Sequence, residues 1–159
     1  MNSLVIYGSR YGNTEKIAYS VAAALRRHGP VQVVAVEEAA PAISKYTDLV
    51  IIGGPTEAHR VTPPLAQFFS QLEPGILRGK LAAAFDTRLS WPRWLAGSAA
   101  SGIHNRLRSA GAQAIVAPES FLVIGNPPEL APGELDRAAG WGEAVAELAQ
   151  NRAPAAAAV

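Results

Sequence analysis

VIYGSRYGNTE, residues 5–15, runs from an apolar strand-like segment through a turn holding Gly8 and Gly12 into the polar start of a helix. Apolar side chains fill Leu4-Val5-Ile6-Tyr7. Residues 14–28 then follow a helical pattern, with Ile17, Val21, Ala24 and Leu25 on one side and Gly29-Pro30 as the stop. A glycine-containing turn that feeds a helix N-terminus is an anion site, because free backbone N–H groups and the positive end of the helix dipole converge on one spot. Ser9, Asn13 and Thr14 add side-chain donors there, and Arg10 adds a charge. Residue identities narrow the anion. No lysine precedes Thr14, which excludes a Walker-type triphosphate loop, and the spacing of Gly8 and Gly12 departs from the G-x-G-x-x-G dinucleotide fingerprint. A phospho-receiver domain needs acidic residues after the first strand and an aspartate ending the third; this chain has Gly8-Ser9 and Gly53-Gly54 there. What remains is a loop of hydroxyls, glycines and amides suited to one terminal phosphate.

Outward from this loop, short apolar runs at residues 4–7, 31–36, 49–52, 81–85 and 112–116 alternate with helical patterns at 14–28, 64–72, 98–110 and 133–149. Residues 38–46 are poorly patterned. Runs that are apolar at nearly every position suit strands covered on both faces. Strand–helix alternation with right-handed crossovers then predicts an α/β, doubly wound, five-stranded parallel sheet with helices on both faces. Such sheets bind ligands outside the carboxyl ends of their strands, where the strand order reverses. The loops after strands one, three and four are therefore the segments to inspect.

A length of 159 residues fits one domain, residues 1–150, followed by a flexible Ala/Pro tail at 151–159. Apolar types make up 49% and charged types 17%, enough for a sizeable core. With no cysteine, disulfide frameworks, thiolate zinc sites, iron–sulfur clusters and cysteine nucleophiles are excluded. The net charge of +1 argues against nucleic acid as a partner. The start lacks a secretory pattern, and no apolar run reaches the roughly 18 residues that span a bilayer, so a cytoplasmic protein without membrane insertion is expected. His28, His59 and His104 have no i, i+4 pairing, so no metal site is expected, and no G-x-S-x-G elbow is present.

Residues 5–15 resemble the flavodoxin signature, in which a strand enters a Ser-x-Thr-Gly-Asn-Thr loop that wraps the phosphate of FMN. Tyr11 stands where that family usually has threonine. The resemblance covers residues 4–149 and implies a flavodoxin-like sheet in the order 2-1-3-4-5. It implies FMN as cofactor, held by Ser9, Arg10, Tyr11, Gly12, Asn13 and Thr14 at the phosphate. Residues 48–56 resemble the third strand and the loop over one ring face. This adds Pro55, Thr56 and Glu57, with Glu57 where the family often has tryptophan. Gly53 and Gly54 are expected to let the backbone approach a planar ligand. Residues 80–97 resemble the fourth strand and the loop over the other face, adding Asp86, Thr87, Arg88, Trp91 and Trp94, with Trp94 as the stacking residue.

The implied function is electron transfer by a flavoprotein with a redox partner protein, as a monomer or weak dimer and with no catalytic residue of its own. The alternatives are a small FMN-dependent oxidoreductase resembling quinone reductases or protoporphyrinogen oxidases, and a flavin-free binding module on the same fold. Charge is unevenly spread. Residues 61–118 hold six basic side chains (Arg78, Lys80, Arg88, Arg93, Arg106, Arg108) against two acidic ones (Glu73, Asp86), and residues 119–159 hold two basic against six acidic. With Arg60, Arg88 and Arg93 in the expected flavin rim, the rim is expected to attract an acidic protein partner or an anionic substrate.

Overall fold

Apolar alternation in successive short segments builds two hydrophobic layers, one on each side of a single sheet. The computed structural model describes residues 1–57, 60–92, 94 and 97–152. Its strands are β1 (Ser3–Tyr7), β2 (Val31–Ala35), β3 (Leu49–Pro55), β4 (Leu81–Leu89), β5 (Gln113–Ala114), β6 (Glu119–Ile124) and β7 (Glu129–Leu130). The helices are α1 (Asn13–Leu25), α2 (Pro63–Gln71), α3 (Ala99–Ser109) and α4 (Glu134–Arg152). The poorly patterned segment after β2 forms two 3-10 turns, Val36–Glu38 and Ala40–Ala42.

The sheet order is β2-β1-β3-β4-β6-β7, with β5 also paired to β4. Every pairing is parallel except β6 with β7. Val5, Leu49, Ile51 and Phe85 face α1 and α4, meeting Ile17, Val21, Leu25 and Val145. Leu4, Ile6, Val50 and Ile52 face α2 and α3, meeting Leu65, Phe68, Ile103 and Leu107. The class is therefore α/β and doubly wound, as expected.

The expected fifth strand needs correction. Residues 112–116 supply only the two-residue β5, and the sheet is carried on by β6, a strand absent from the reading above. Three steps along β4, from Ala82 to Phe85, are matched by five along its neighbour, from Ala114 to Glu119. Pro118 lies in that interruption and has no N–H to offer the ladder. The sheet thus has seven strands rather than five. At the far end, helix α4 continues to Arg152, past the expected boundary at 150, and residues 153–159 lie outside the described residues. Among the described residues no helix is long and apolar enough to cross a membrane.

One ion cluster ties α4 to β6. The Glu134 carboxylate accepts from the Leu122 amide at 2.7 Å and from Arg137 Nη2 at 2.7 Å, while Arg137 also lies 4.5 Å over the Phe121 ring and 3.1 Å from Glu119. The Arg137 bond, aided by the Leu122 amide against an opposing desolvation effect, holds the Glu134 carboxyl below its ordinary value of 4.5. A carboxylate whose folded value is depressed stabilises the fold above its unfolded value and loses that contribution as pH falls through the folded one. Urea unfolding should therefore show Glu134→Gln less stable than wild type at pH 7, with the gap closing as pH drops below 4.5. A gap independent of pH would rule out this electrostatic role.

Candidate functional site

A cleft of about 350 Å³ opens at the carboxyl ends of β1, β3, β4 and β6. Its floor is the turn between β1 and α1. Gly12 sits at φ 84°, a left-handed conformation that favours glycine, and it caps α1 without a side chain. The first N–H groups of α1 therefore have neither an intrahelical acceptor nor a capping oxygen. The Gly12 amide instead donates to Ser9 Oγ at 3.0 Å, which leaves the Ser9 hydroxyl proton free to donate. Thr14 is 1% exposed, and its Oγ1 lies 2.8 Å from Thr87 Oγ1 on β4. Arg10 is well exposed, 3.6 Å from Glu57, with its guanidinium over the Tyr11 ring.

Beneath the loop, the Tyr7 hydroxyl donates to Glu15 Oε1 at 3.0 Å. Burial first, and that bond second, push its pKa up to about 12. It stays neutral at working pH and adds no negative charge below an anion.

The structure gathers most of the predicted residues on this cleft. Ser9, Arg10, Tyr11, Asn13 and Thr14 line it from the first loop, Pro55, Thr56 and Glu57 from the end of β3, and Thr87 and Arg88 from β4. Gly12 shapes the turn but borders a neighbouring hollow with Glu15 and Tyr19. The Asn13 amide is committed to structure, donating to the Pro128 carbonyl at 2.8 Å. Arg88 Nη1 donates to the Trp91 carbonyl at 2.8 Å, and its buried Nε has no partner.

Other expectations are not met. Asp86 is fully buried and does not line the cleft. Its Oδ2 accepts from Thr56 Oγ1 (3.0 Å), Ser98 Oγ (2.8 Å) and the Ala100 amide (2.9 Å), so it anchors the start of α3. Thr56 in turn accepts from the Ala99 amide at 2.9 Å, and its only proton is spent on Asp86. Gly53 and Gly54 do not make room for a ligand. A Cβ on Gly53 would sit 2.0 Å from the Phe85 ring, and one on Gly54 would sit 2.3 Å from Leu65 Cδ1, so core side chains already fill both spaces. Trp91 and Trp94 are 60% and 82% exposed, and neither lines the cleft.

Charge placement also changes. Lys80 lies at the amino end of β4, where its Nζ donates to the Ser44 and Thr47 carbonyls, and Arg78 is in the turn just before it. Arg106 and Arg108 occupy the last turn of α3, whose first residues are the ones near Asp86. Of the basic side chains in residues 61–118, Arg88 is the one at the cleft among the described residues. Arg93 and His59 lie outside the described residues.

The sequence reading missed a fourth wall. Val123, Gly125, Asn126 and Pro128, around the β6–β7 turn, complete the cleft. The Gly125-Asn126-Pro127-Pro128 run is a strong turn signal that could have marked it.

The donor set faces one way. Free helix N–H groups, the Ser9 hydroxyl, the Thr14–Thr87 pair and Arg10 gather at the first loop, while Pro55, Leu89, Val123 and the Tyr11 ring give apolar wall. This suits a ligand with an anion at one end and a flat apolar body at the other.

Comparison with known proteins places the fold. The structure resembles a flavodoxin from the domain Archaea, with 19% identity, a TM-score of 0.77 and coverage of 94% of this chain and 99% of that one. It resembles oxidised flavodoxin 1 from Bacillus cereus, with 19% identity, a TM-score of 0.75 and coverage of 97% and 100%. A flavodoxin, WrbA-like protein from Agrobacterium tumefaciens is also similar, with 19% identity, a TM-score of 0.73 and coverage of 94% and 98%. At these identities the likeness is one of fold. No curated protein sequence matches the chain. The profile of the flavodoxin domain matches residues 4–90, more than half of the sequence, from β1 and its phosphate-type loop through β4. On that match the chain belongs to the flavodoxin domain family.

Proposed function

We propose that this chain binds FMN in the cleft and works in electron transfer with a protein partner. FMN is the cofactor of the flavodoxin family, and the donor set described above fits it. The observation that carries the reading is the uncapped start of α1 facing a cleft of about 350 Å³, where Glu57, the carboxylate lining it among the described residues, is paired with Arg10. The Ser9 and Thr14 hydroxyls and the first N–H groups of α1 would hold the phosphate, and Arg10 would add charge. Gly12 sets the turn, and Asn13 fixes the loop against Pro128. Pro55, Thr56 and Glu57 would border the ring on one side, and Arg88 on the other. Bound flavin supplies one- and two-electron redox chemistry, while the protein contributes orientation and local charge.

Exposed Tyr11, Leu89 and Trp91 put apolar surface beside Arg10 and Arg88, which supports docking of a partner with an acidic rim. The oxidoreductase reading would show itself as turnover of nicotinamide or quinone by the protein alone. A flavin-free module would leave added FMN fluorescent.

The test is titration of the purified protein with FMN and riboflavin. Ser9→Ala with Thr14→Val should weaken FMN by about 30-fold, since two donors to a charged group are lost, and riboflavin by much less. Equal losses for the two flavins would mean that the phosphate is not held on this loop.

A further inference from the structure

Thr14 and Thr87 stand 73 residues apart in sequence, yet their hydroxyl oxygens are 2.8 Å apart and they are 1% and 4% exposed. This pair has two protons and one shared bond. One proton is consumed between the oxygens, and the other remains for the cleft that both residues line. No further side-chain bond is made by either hydroxyl among the described residues.

We propose that Thr87 is the donor in this pair once an anion is bound, so that it turns the Thr14 proton toward the start of α1 and acts as a positioning residue for the phosphate. The inference rests on the FMN reading above. If Thr14 donated to Thr87, a Thr14 lone pair would face the anion. An acceptor-only phosphate therefore selects the order Thr87 to Thr14 to phosphate, and each bond in such a chain polarises the next. A hydroxyl-ended ligand such as riboflavin can donate or accept and selects neither order. Thr87, which the resemblance placed against the ring, thereby serves the phosphate end and sets preference for a phosphorylated flavin over a neutral one.

The experiment is flavin-fluorescence titration of the full chain with FMN and with riboflavin. Wild type is compared with Thr87→Val, Thr87→Ser, Thr14→Val and the Thr14→Val/Thr87→Val double variant, and folding is checked by circular dichroism. Thr87→Val should weaken FMN about tenfold and riboflavin less than about twofold. Thr87→Ser should restore FMN binding. In the Thr14→Val background, Thr87→Val should cost FMN nothing further, because the relay is already cut. Full additivity, or equal losses for both flavins, would overturn the role of Thr87 while leaving FMN binding intact. Wild-type protein that binds neither flavin would overturn the FMN reading and this inference together. Should valine prevent folding, Thr87→Ala makes the same comparison.

Discussion

Asp86→Ala should lower the stability of the fold by about 3–5 kcal/mol, the cost of removing a buried carboxylate that satisfies several donors. Three donors converge on one Asp86 oxygen: Thr56 Oγ1, Ser98 Oγ and the Ala100 amide. The hydroxyls can turn elsewhere, but the amide at the start of α3 cannot. The side chain is fully buried at the start of α3, where all three bonds fall on Oδ2 while Oδ1 is buried without a partner. In a chain of this size the loss corresponds to roughly 10 °C in melting temperature. Asp86→Asn keeps an accepting oxygen and should cost about half as much or less. FMN affinity should also fall in Asp86→Ala, because Thr56 and Ser98 bring the ends of two loops to the same oxygen. A change below about 1 kcal/mol in a urea titration would show that the carboxylate does not hold this corner together.

Gly53→Ala is the second large effect, about 3 kcal/mol at the upper end of the cost of overpacking a core. The new methyl would fall 2.0 Å from the Phe85 ring. That ring has nowhere to go, since Phe121 and Trp141 meet it edge-on with centroids 5.9 Å and 6.1 Å away. Adding Phe85→Leu should recover part of the loss, a coupling that a double-mutant cycle would detect. Gly12→Ala makes a useful contrast. Nothing lies within 4 Å of its Cβ position, so only the left-handed backbone penalises it, by roughly 1–2 kcal/mol. If Gly53→Ala left the urea midpoint unchanged but abolished flavin binding, the glycine would face the ligand and not the core.

These two residues also mark where sequence reading reaches its limit. Periodicity placed α1 and α3 to within a few residues, and the apolar runs located β1 to β4, because each pattern is local. The fate of Gly53 and Gly54 is not local. A missing side chain predicts a close approach without saying by what, and here Phe85 and Leu65 arrive from within the core. Asp86 and Thr56 were legible as polar residues near a loop. Their mutual bond spans 30 residues, and it turns both inward to the scaffold. Strand β6 was missed because Pro118, Glu119 and Ser120 look like a loop. The Glu119 side chain is met by Arg137 from α4, a partner that no window around Glu119 contains. The first loop is the most legible part of the cleft because its residues are contiguous: Ser9, Arg10, Tyr11, Asn13 and Thr14 line it from a single turn.

The bond from Asn13 to the Pro128 carbonyl joins segments separated by 115 residues. It bears on the order of events during synthesis. A nascent chain that has emerged through β4 carries the phosphate-type loop but not the wall around Gly125. Closing that distance adds a loop-closure entropy that grows with the logarithm of the separation, and contacts so far apart in sequence slow folding. The complete cleft therefore exists only after β6 has joined β4, so a ligand that needs every wall of it can be captured only late in assembly.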